Sequence, residues 1–384
     1  MRRIAVINQK GGVGKTTTSV NLAAALAEQG RRVVVVDLDP QANLTLHLGI
    51  EPDPGRPSSY TVLGSTTGFG DALQESGEAG LQVLPSNIDL SGAELELASA
   101  IGRDRLLSDA IEAWVAACDD PRGPADYVIF DCPPSLGLLA VNALAAAGEV
   151  MITVQTEFLA LMGMSKLVEI VQLIQRRLNP SLEITGIAAC LYDSRLRLAR
   201  EVLGEIRKYF PGQVFKTPVR SNVKLAEAPS FGSSIVAYAP ESNGARDYRK
   251  LALEVIEQEA NHEGLEHLPA PRALAELPVV VKSPEAETGG PFATNRGGAR
   301  VDVDRAPAVR EESAAEAHPA AEPEPDEPHP AEPEAAEPEV TVQPTPPPAE
   351  PARPQGSDAV EEELRVMRAQ DLPPLPPEAF RVDS

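Results

Sequence analysis

Eight consecutive residues, Lys10-Gly11-Gly12-Val13-Gly14-Lys15-Thr16-Thr17, bring together three glycines, two lysines and two hydroxyls. Glycines at this spacing let backbone N–H groups close around an anion, and a helix opening at Lys15 adds the positive end of its dipole. Lys15 then reaches the β- and γ-phosphates of a nucleotide, and the Thr16 hydroxyl is a ligand for Mg²⁺. A glycine turn that serves packing alone has no need of Lys-Thr behind it. The first glycine position of the usual pattern holds Gln9, and Lys10 follows as a second cation on the lip of the loop. A lysine there is either a solvated surface charge or a group that feels the phosphates.

Two further segments carry carboxylates suited to the same site. Asp37-Leu-Asp39-Pro40 follows four valines, and Tyr127-Val-Ile-Phe-Asp131 is an apolar run that ends in aspartate. A carboxylate at the carboxyl end of a strand points into the crevice where open α/β sheets hold ligands. Asp39 is expected to position the attacking water, as a base or an orienting group. Asp131 is expected to hold Mg²⁺, directly or through water. Asp37 is either a structural cap or part of the Mg²⁺ shell. One aspartate ending one strand is more often a turn or cap. Three such segments in this order carry the weight.

These groups need a sheet whose strands end together. Short apolar runs alternate with helical patterns and predict strands at Arg3–Asn8, Arg32–Asp37, Leu81–Pro85, Tyr127–Asp131, Val150–Gln155 and Ile184–Leu191. Apolar residues at three- and four-residue spacing predict helices at Thr16–Gln29, from about Leu159 to Leu178, at Leu198–Tyr209 and at Ala245–Glu259. The alternation implies an α/β fold, a mostly parallel twisted sheet with helices on both faces. No internal repeat is present.

Composition divides the chain. Residues 262–384 hold 23 of the 37 prolines, and their 26 acidic residues against 10 basic ones give net −16 of the whole chain's −23. Tracts rich in Ala, Glu and Pro lack the apolar groups needed to offset chain entropy, so residues 262–384 are expected to be a disordered acidic tail and residues 1–261 the folded domain. Within the tail, Val360, Leu364, Val366 and Met367 fit either a short amphipathic docking helix or a chance pattern. Cys118, Cys132 and Cys190 are scattered, which argues against a disulfide framework or a zinc knuckle and suits a reducing cytoplasm. The apolar run near the N-terminus is too short for a signal peptide, and no run approaches the roughly 18 residues of a membrane span. A cytoplasmic location is expected.

With these residues in place, Lys10–Thr17 resembles the deviant Walker A motif of the ParA/MinD family of ATPases. The segments Asp37-Leu-Asp39-Pro-Gln-Ala-Asn43 and Asp131-Cys-Pro-Pro-Ser135 agree with it. The stretch Arg220-Ser-Asn222-Val-Lys224-Leu-Ala-Glu-Ala-Pro-Ser-Phe-Gly232 is similar to a ParA loop that approaches the nucleotide base, which makes Asn222 an adenine contact. Where the family often has Pro-Arg-Asn, this chain has Arg220-Ser221-Asn222. The resemblance covers about residues 2–260. It implies ATP and Mg²⁺ as cofactors, slow Mg²⁺-dependent ATP hydrolysis, and a Lys10 that crosses to the partner's nucleotide in an ATP-dependent homodimer. It also implies a ParB-like centromere-binding partner that stimulates hydrolysis.

The resemblance leaves several cargoes open, and the residues weigh them. The thiols lack the paired setting of a cluster-bearing electron donor. An acidic end is repelled by anionic lipid, unlike the basic amphipathic helix of the membrane-bound relatives, so no membrane partner is expected. From Arg195 to Lys224 eight basic residues, among them Arg195, Arg197, Arg200, Arg220 and Lys224, stand against Glu201 and Glu205. Such a stretch predicts salt-sensitive contact with nonspecific double-stranded DNA, and a nucleoid-associated location with it. Arg195 and Lys224 fall where chromosomal ParA proteins carry DNA-contacting arginines. The bland reading is a salt-bridged helix face, with Arg200–Glu201 and Arg207–Glu205 as offsetting pairs. A partitioning ATPase is therefore expected. The alternatives are a ParA-like ATPase that positions a protein cargo and a MinD-like membrane-associated division-site regulator.

Overall fold

The computed structural model describes residues 1–157 and 160–260. Seven strands, β1 (Arg2–Ile7), β2 (Val33–Asp37), β3 (Gln74–Glu75), β4 (Leu81–Leu84), β5 (Tyr127–Asp131), β6 (Glu149–Gln155) and β7 (Glu183–Cys190), form one sheet in the order β3-β4-β2-β5-β1-β6-β7. All pairs are parallel except β3 with β4. The six expected strands and the mostly parallel fold are thus present. The two-residue edge strand β3 escaped the sequence because it has no apolar run of its own.

Every residue of β2 and β5 is buried, as central strands covered on both faces require. The period of two divides the core. Ile4, Val6, Val33, Val35, Tyr127 and Ile129 face one side, and Ala5, Val34, Val36, Val128 and Phe130 face the other. The first side is covered by α1 (Lys15–Glu28), α2 (Asn43–His47), α9 (Val223–Glu227), α10 (Ile235–Tyr238) and α11 (Asn243–Ala260), with α1 and α11 packed together. The second is covered by α3 (Ser59–Leu63), α4 (Ala93–Glu96), α5 (Leu106–Ala116), α6 (Leu138–Ala146), α7 (Ala160–Arg177) and α8 (Arg197–Tyr209). In β7 one extra residue, Thr185, breaks the register with β6, which is why Ile184 and Ile187 share a face.

The four expected helices are α1, α7, α8 and α11, each within two residues of its expected ends where those ends are described. The start expected near Leu159 lies outside the described residues. The expectation did not include α5 and α6. Helix α6, LLAVNALAA, is buried on nearly every side and carries no amphipathic period to read. Among the described residues no helix is long and apolar enough to cross a membrane. The tail from 262 lies outside the described residues.

Candidate nucleotide site and adjoining basic face

Strand β1 sits between β5 and β6, so the carboxyl end of the sheet opens at β1, where the chain turns through Gln9–Gly14 into α1. Gly12 and Gly14 take φ of +73° and +88°, a left-handed backbone that a side chain would strain. A Cβ on Gly14 would also meet Cys190 at 3.4 Å, so the loop rests against the end of β7. Gly11 and Gly12 are exposed with open space above them. Among the described residues no side chain caps α1, and its first turn has no acidic residue. Its N–H groups therefore suit an external anion. Val13 is buried and anchors the loop, and Thr17 is half-buried with its carbonyl accepting from Asn21 Nδ2.

Lys15 is buried, and that burial lowers its pKa against the raising pull of Asp131, Cys132 and Asp39. A buried ammonium facing carboxylates suits a polyanion that restores its full charge. Asp131 ends β5 and accepts from two hydroxyls of α1, Thr16 Oγ1 at 2.7 Å and Ser19 Oγ at 2.9 Å. Its neighbour in the sheet register is Asp37. Burial, then the charge of Asp37, raises the Asp131 carboxyl to about 7. A buried carboxylate beside a threonine hydroxyl, with the charge of a second buried carboxylate alongside, is a hard-oxygen donor pair that fits Mg²⁺. Thr16 and Asp131 would hold it, and the cation would relieve the burial of the charge.

Asp37 has both oxygens occupied. Oδ1 accepts from Asp39 N at 3.1 Å, and Oδ2 accepts from Thr45 N at 2.9 Å and Thr45 Oγ1 at 2.7 Å. Of its two expected roles, these bonds describe the structural one: it ties the start of α2 to the end of β2. Asp39 is half-buried beyond it; its Oδ1 accepts from Gln41 N, and its carbonyl accepts from Ser86 Oγ. Ser19, Thr45 and Ser86 were absent from the sequence reading. Ser19 had a usable signal, since it lies one turn from Thr16 on the helix face toward β5.

Lys10 stands apart. It is exposed, and its Nζ lies 2.5 Å from Glu157 Oε2 and 3.4 Å from Gln155 Oε1. Asn222 caps α9, accepting from Lys224 N at 2.8 Å, close after the bridge between Tyr192 and Arg220 at the end of β7.

The basic stretch is largely exposed: Arg195, Arg197, Arg200, Arg207 and Lys208 lie along the start and outer face of α8, whereas Lys216, Arg220 and Lys224 follow it, Lys224 on α9. Arg195 pairs with Asp193, Arg197 with Glu201 and Lys208 with Glu205, each contact at 2.6–2.7 Å, while Arg200 donates to the Ser194 carbonyl. The expected offsets Arg200–Glu201 and Arg207–Glu205 are not the pairs formed, because residues one or two apart on a helix do not face each other. Lys224 pairs with Glu227 and lies over the Tyr238 ring. Arg220 differs: its guanidinium and its backbone N–H both donate to Asp247, which is buried.

The fold and the site define a P-loop nucleotide-binding protein. Residues 1–184 match the family model described as an AAA domain. The chain is 46% identical over 252 residues to the sporulation initiation inhibitor protein Soj of Bacillus subtilis (strain 168), covering 66% of this chain and 97% of Soj. It is 42% identical over 263 residues to the chromosome partitioning protein ParA of Caulobacter vibrioides (strain NA1000 / CB15N), covering 68% of this chain and 97% of ParA. Among solved structures, the cobyrinic acid a,c-diamide synthase of Mycobacterium smegmatis with bound ADP and magnesium superposes with a TM-score of 0.58 at 37% identity, covering 70% of this chain and 98% of that one. The chain belongs to the ParA/MinD family.

Proposed function

We propose that this chain is a Mg²⁺-dependent ATPase that partitions chromosomal or plasmid DNA. It acts as an ATP-dependent homodimer in the cytoplasm, holds nonspecific double-stranded DNA on the nucleoid, and releases it when a ParB-like centromere-binding partner stimulates hydrolysis. Residues 1–261 carry this activity. The observation that supports it best is the meeting of Lys15, Thr16 and Asp131 at the glycine loop, in a chain that shares 42–46% identity with Soj and ParA over nearly their full length.

Lys15 and the N–H groups of residues 11–16 hold the β- and γ-phosphates. Bound magnesium supplies positive charge to the phosphate oxygens, with Thr16 and Asp131 holding it. Asp39, fixed by its bonds to Gln41 and Ser86, orients the attacking water. Asn222 meets the adenine, and Lys10 reaches the partner's nucleotide. Arg195, Arg197, Arg200, Arg220 and Lys224 contact phosphates of the duplex without reading bases. Two weak patches on one dimer bind far more tightly than one, so breaking the dimer releases DNA.

Retention on DNA with ATP tests the reading in wild type, Lys15→Ala, Lys10→Ala and Arg195→Glu. Wild type is expected to be retained with ATP and released by added salt, Lys15→Ala and Lys10→Ala to be lost, and Arg195→Glu to be weakened only a few-fold. Retention of Lys15→Ala at the wild-type level would overturn the switch. Co-sedimentation with anionic vesicles in place of DNA would turn the reading toward a membrane regulator.

A further inference from the structure

The two lysines of the loop are drawn to opposite sides of β1. Lys15 faces Asp131 at the end of β5, whereas Lys10 turns toward Gln155 and Glu157 at the end of β6, and β5 and β6 flank β1 on either side. The lip is fastened there twice. Lys10 N donates to Asn8 Oδ1 at 2.9 Å, and Asn8 Nδ2 donates to the Thr153 carbonyl at 2.6 Å, fixing the backbone. Lys10 Nζ to Glu157 Oε2 at 2.5 Å then fixes the side chain across a separation of 147 residues. The pair borders an open cleft of about 390 Å³ lined by Asn8, Val13, Val154, Gln155 and Gly163.

We propose that Glu157 is a positioning residue that parks Lys10 on its own protomer, and that ATP-driven dimerisation must break this pair. The inference rests on the reading of Lys10 as the group that crosses to the partner's nucleotide. Both side chains are about half exposed, at 57% and 50%, so the pair does little for the stability of the fold. An exposed ion pair biases the lysine by no more than about fivefold, a hold weak enough to be broken when a triphosphate offers several negative charges against one carboxylate. Without that competitor the lysine stays home, and the apparent dimer affinity is reduced by the fraction of Lys10 that is parked. Each dimer breaks two such pairs, so the effect on dimerisation is the square of the effect on one lysine.

The test uses the full chain. In nucleotide-free protein, the rate at which an amine-acylating reagent modifies Lys10 is read by mass spectrometry for wild type, Glu157→Gln and Glu157→Asp. In parallel the dimer dissociation constant with Mg²⁺-ATP is measured by analytical ultracentrifugation. Glu157→Gln is expected to raise Lys10 acylation about two- to fivefold and to tighten the dimer by up to roughly twentyfold. Glu157→Asp is expected to stay close to wild type, and 0.5 M salt to erase the differences. Equal acylation rates, or a dimer weakened by Glu157→Gln, would overturn the proposal. A Lys10→Ala variant that dimerises like wild type would instead remove the crossing role of Lys10, while the acylation rates would still decide whether the pair holds.

Discussion

The nucleotide pocket and the face of α8 are both built from charge, but they hold it differently. In the pocket Lys15, Asp37 and Asp131 are buried, and burial itself shifts all three toward neutrality. Each carboxylate is fixed by hydroxyl or backbone donors. On the face of α8, Arg195 and Arg197 are 80–88% exposed, and each leans on a carboxylate within four residues. A buried charge acts through position, so a single group can decide the outcome. An exposed charge acts through its contribution to a sum, and salt screens it. Mutations in the pocket should therefore be large and distinct from one another, and those on the face small and additive.

The largest effects belong to Asp39 and Lys15, and the two should differ in kind. Asp39→Ala is expected to lower the rate of phosphate release by about 10²–10⁴-fold while leaving ATP binding within a few-fold. Lys15→Ala is expected to lose binding itself by about 10²–10³-fold, because the N–H groups of the loop lose their partner charge on the phosphates. Phosphate-release kinetics and a nucleotide titration separate them. If Asp39→Ala lost ATP affinity as Lys15→Ala does, Asp39 would be part of the binding wall and not the water-orienting group.

Arg220 sharpens the comparison because it belongs to the face by sequence and to the interior by its partner. It is the one member of the expected DNA set whose carboxylate, Asp247, is buried, with three donors converging on it. Arg220→Ala strands part of that carboxylate and should destabilise the domain by about 1–2 kcal/mol, toward the low end because the guanidinium is itself partly exposed. Urea denaturation of Arg220→Ala beside Arg195→Ala measures this, with no change expected for Arg195→Ala. Equal stability of the two would place Arg220 with the free surface cations.

The same contrast explains what could be read from the residues alone. Strands β1, β2, β5 and β6 and the loop between β1 and α1 were legible because buried parallel strands are runs of Val, Ile and Ala, and because phosphate binding constrains Gly, Lys and Thr by type and spacing. Asp131 was legible as the end of such a run. Ser19 and Ser86 were not, since they act through partners 112 and 47 residues away that only the fold supplies, and Thr45 joins Asp37, eight residues before it, to Ser86, 41 residues after it. The pairing of Lys10 with Glu157 is of the same kind. The surface pairs on α8 were misjudged because charges adjacent in sequence were matched, whereas a helix brings together residues three and four apart.

His47 lies beside the pocket, on the short helix α2 that follows Asp39 and packs on the turn Ala228–Phe231. Its ring is hydrogen-bonded to the Ser233 backbone, its Nε2 has no partner among the described residues, and burial lowers it to about 4. The unfolded chain takes up that proton near pH 6.5 and the folded chain only near 4. The contribution of neutral His47 is therefore complete above pH 6.5 and is lost as pH falls from there toward 4. Between pH 7 and 4.5 this should remove about 2 kcal/mol from wild type that His47→Gln does not lose. Asp37 and Asp131 work in the opposite direction, since carboxyls raised to about 6 and 7 gain protons, and so stability, on the way down. The difference between wild type and His47→Gln across that pH range isolates the histidine. Parallel curves would mean that the α2 junction opens to water before the ring must charge.

The smallest effects are expected on the face, and there the shape of the response matters more than its size. Arg195→Glu should weaken DNA retention only a few-fold at 150 mM salt, and Arg197→Glu by a similar factor, each releasing an acidic partner, Asp193 or Glu201, as a further local negative charge. The stronger signature is the slope of log affinity against log salt concentration, which should become shallower by about one for each phosphate contact removed. The double variant should show close to the sum of the two slope changes, because exposed sites that share no partner act independently. A single substitution that abolished binding and left no salt slope would show that the face works as the pocket does, through one positioned group.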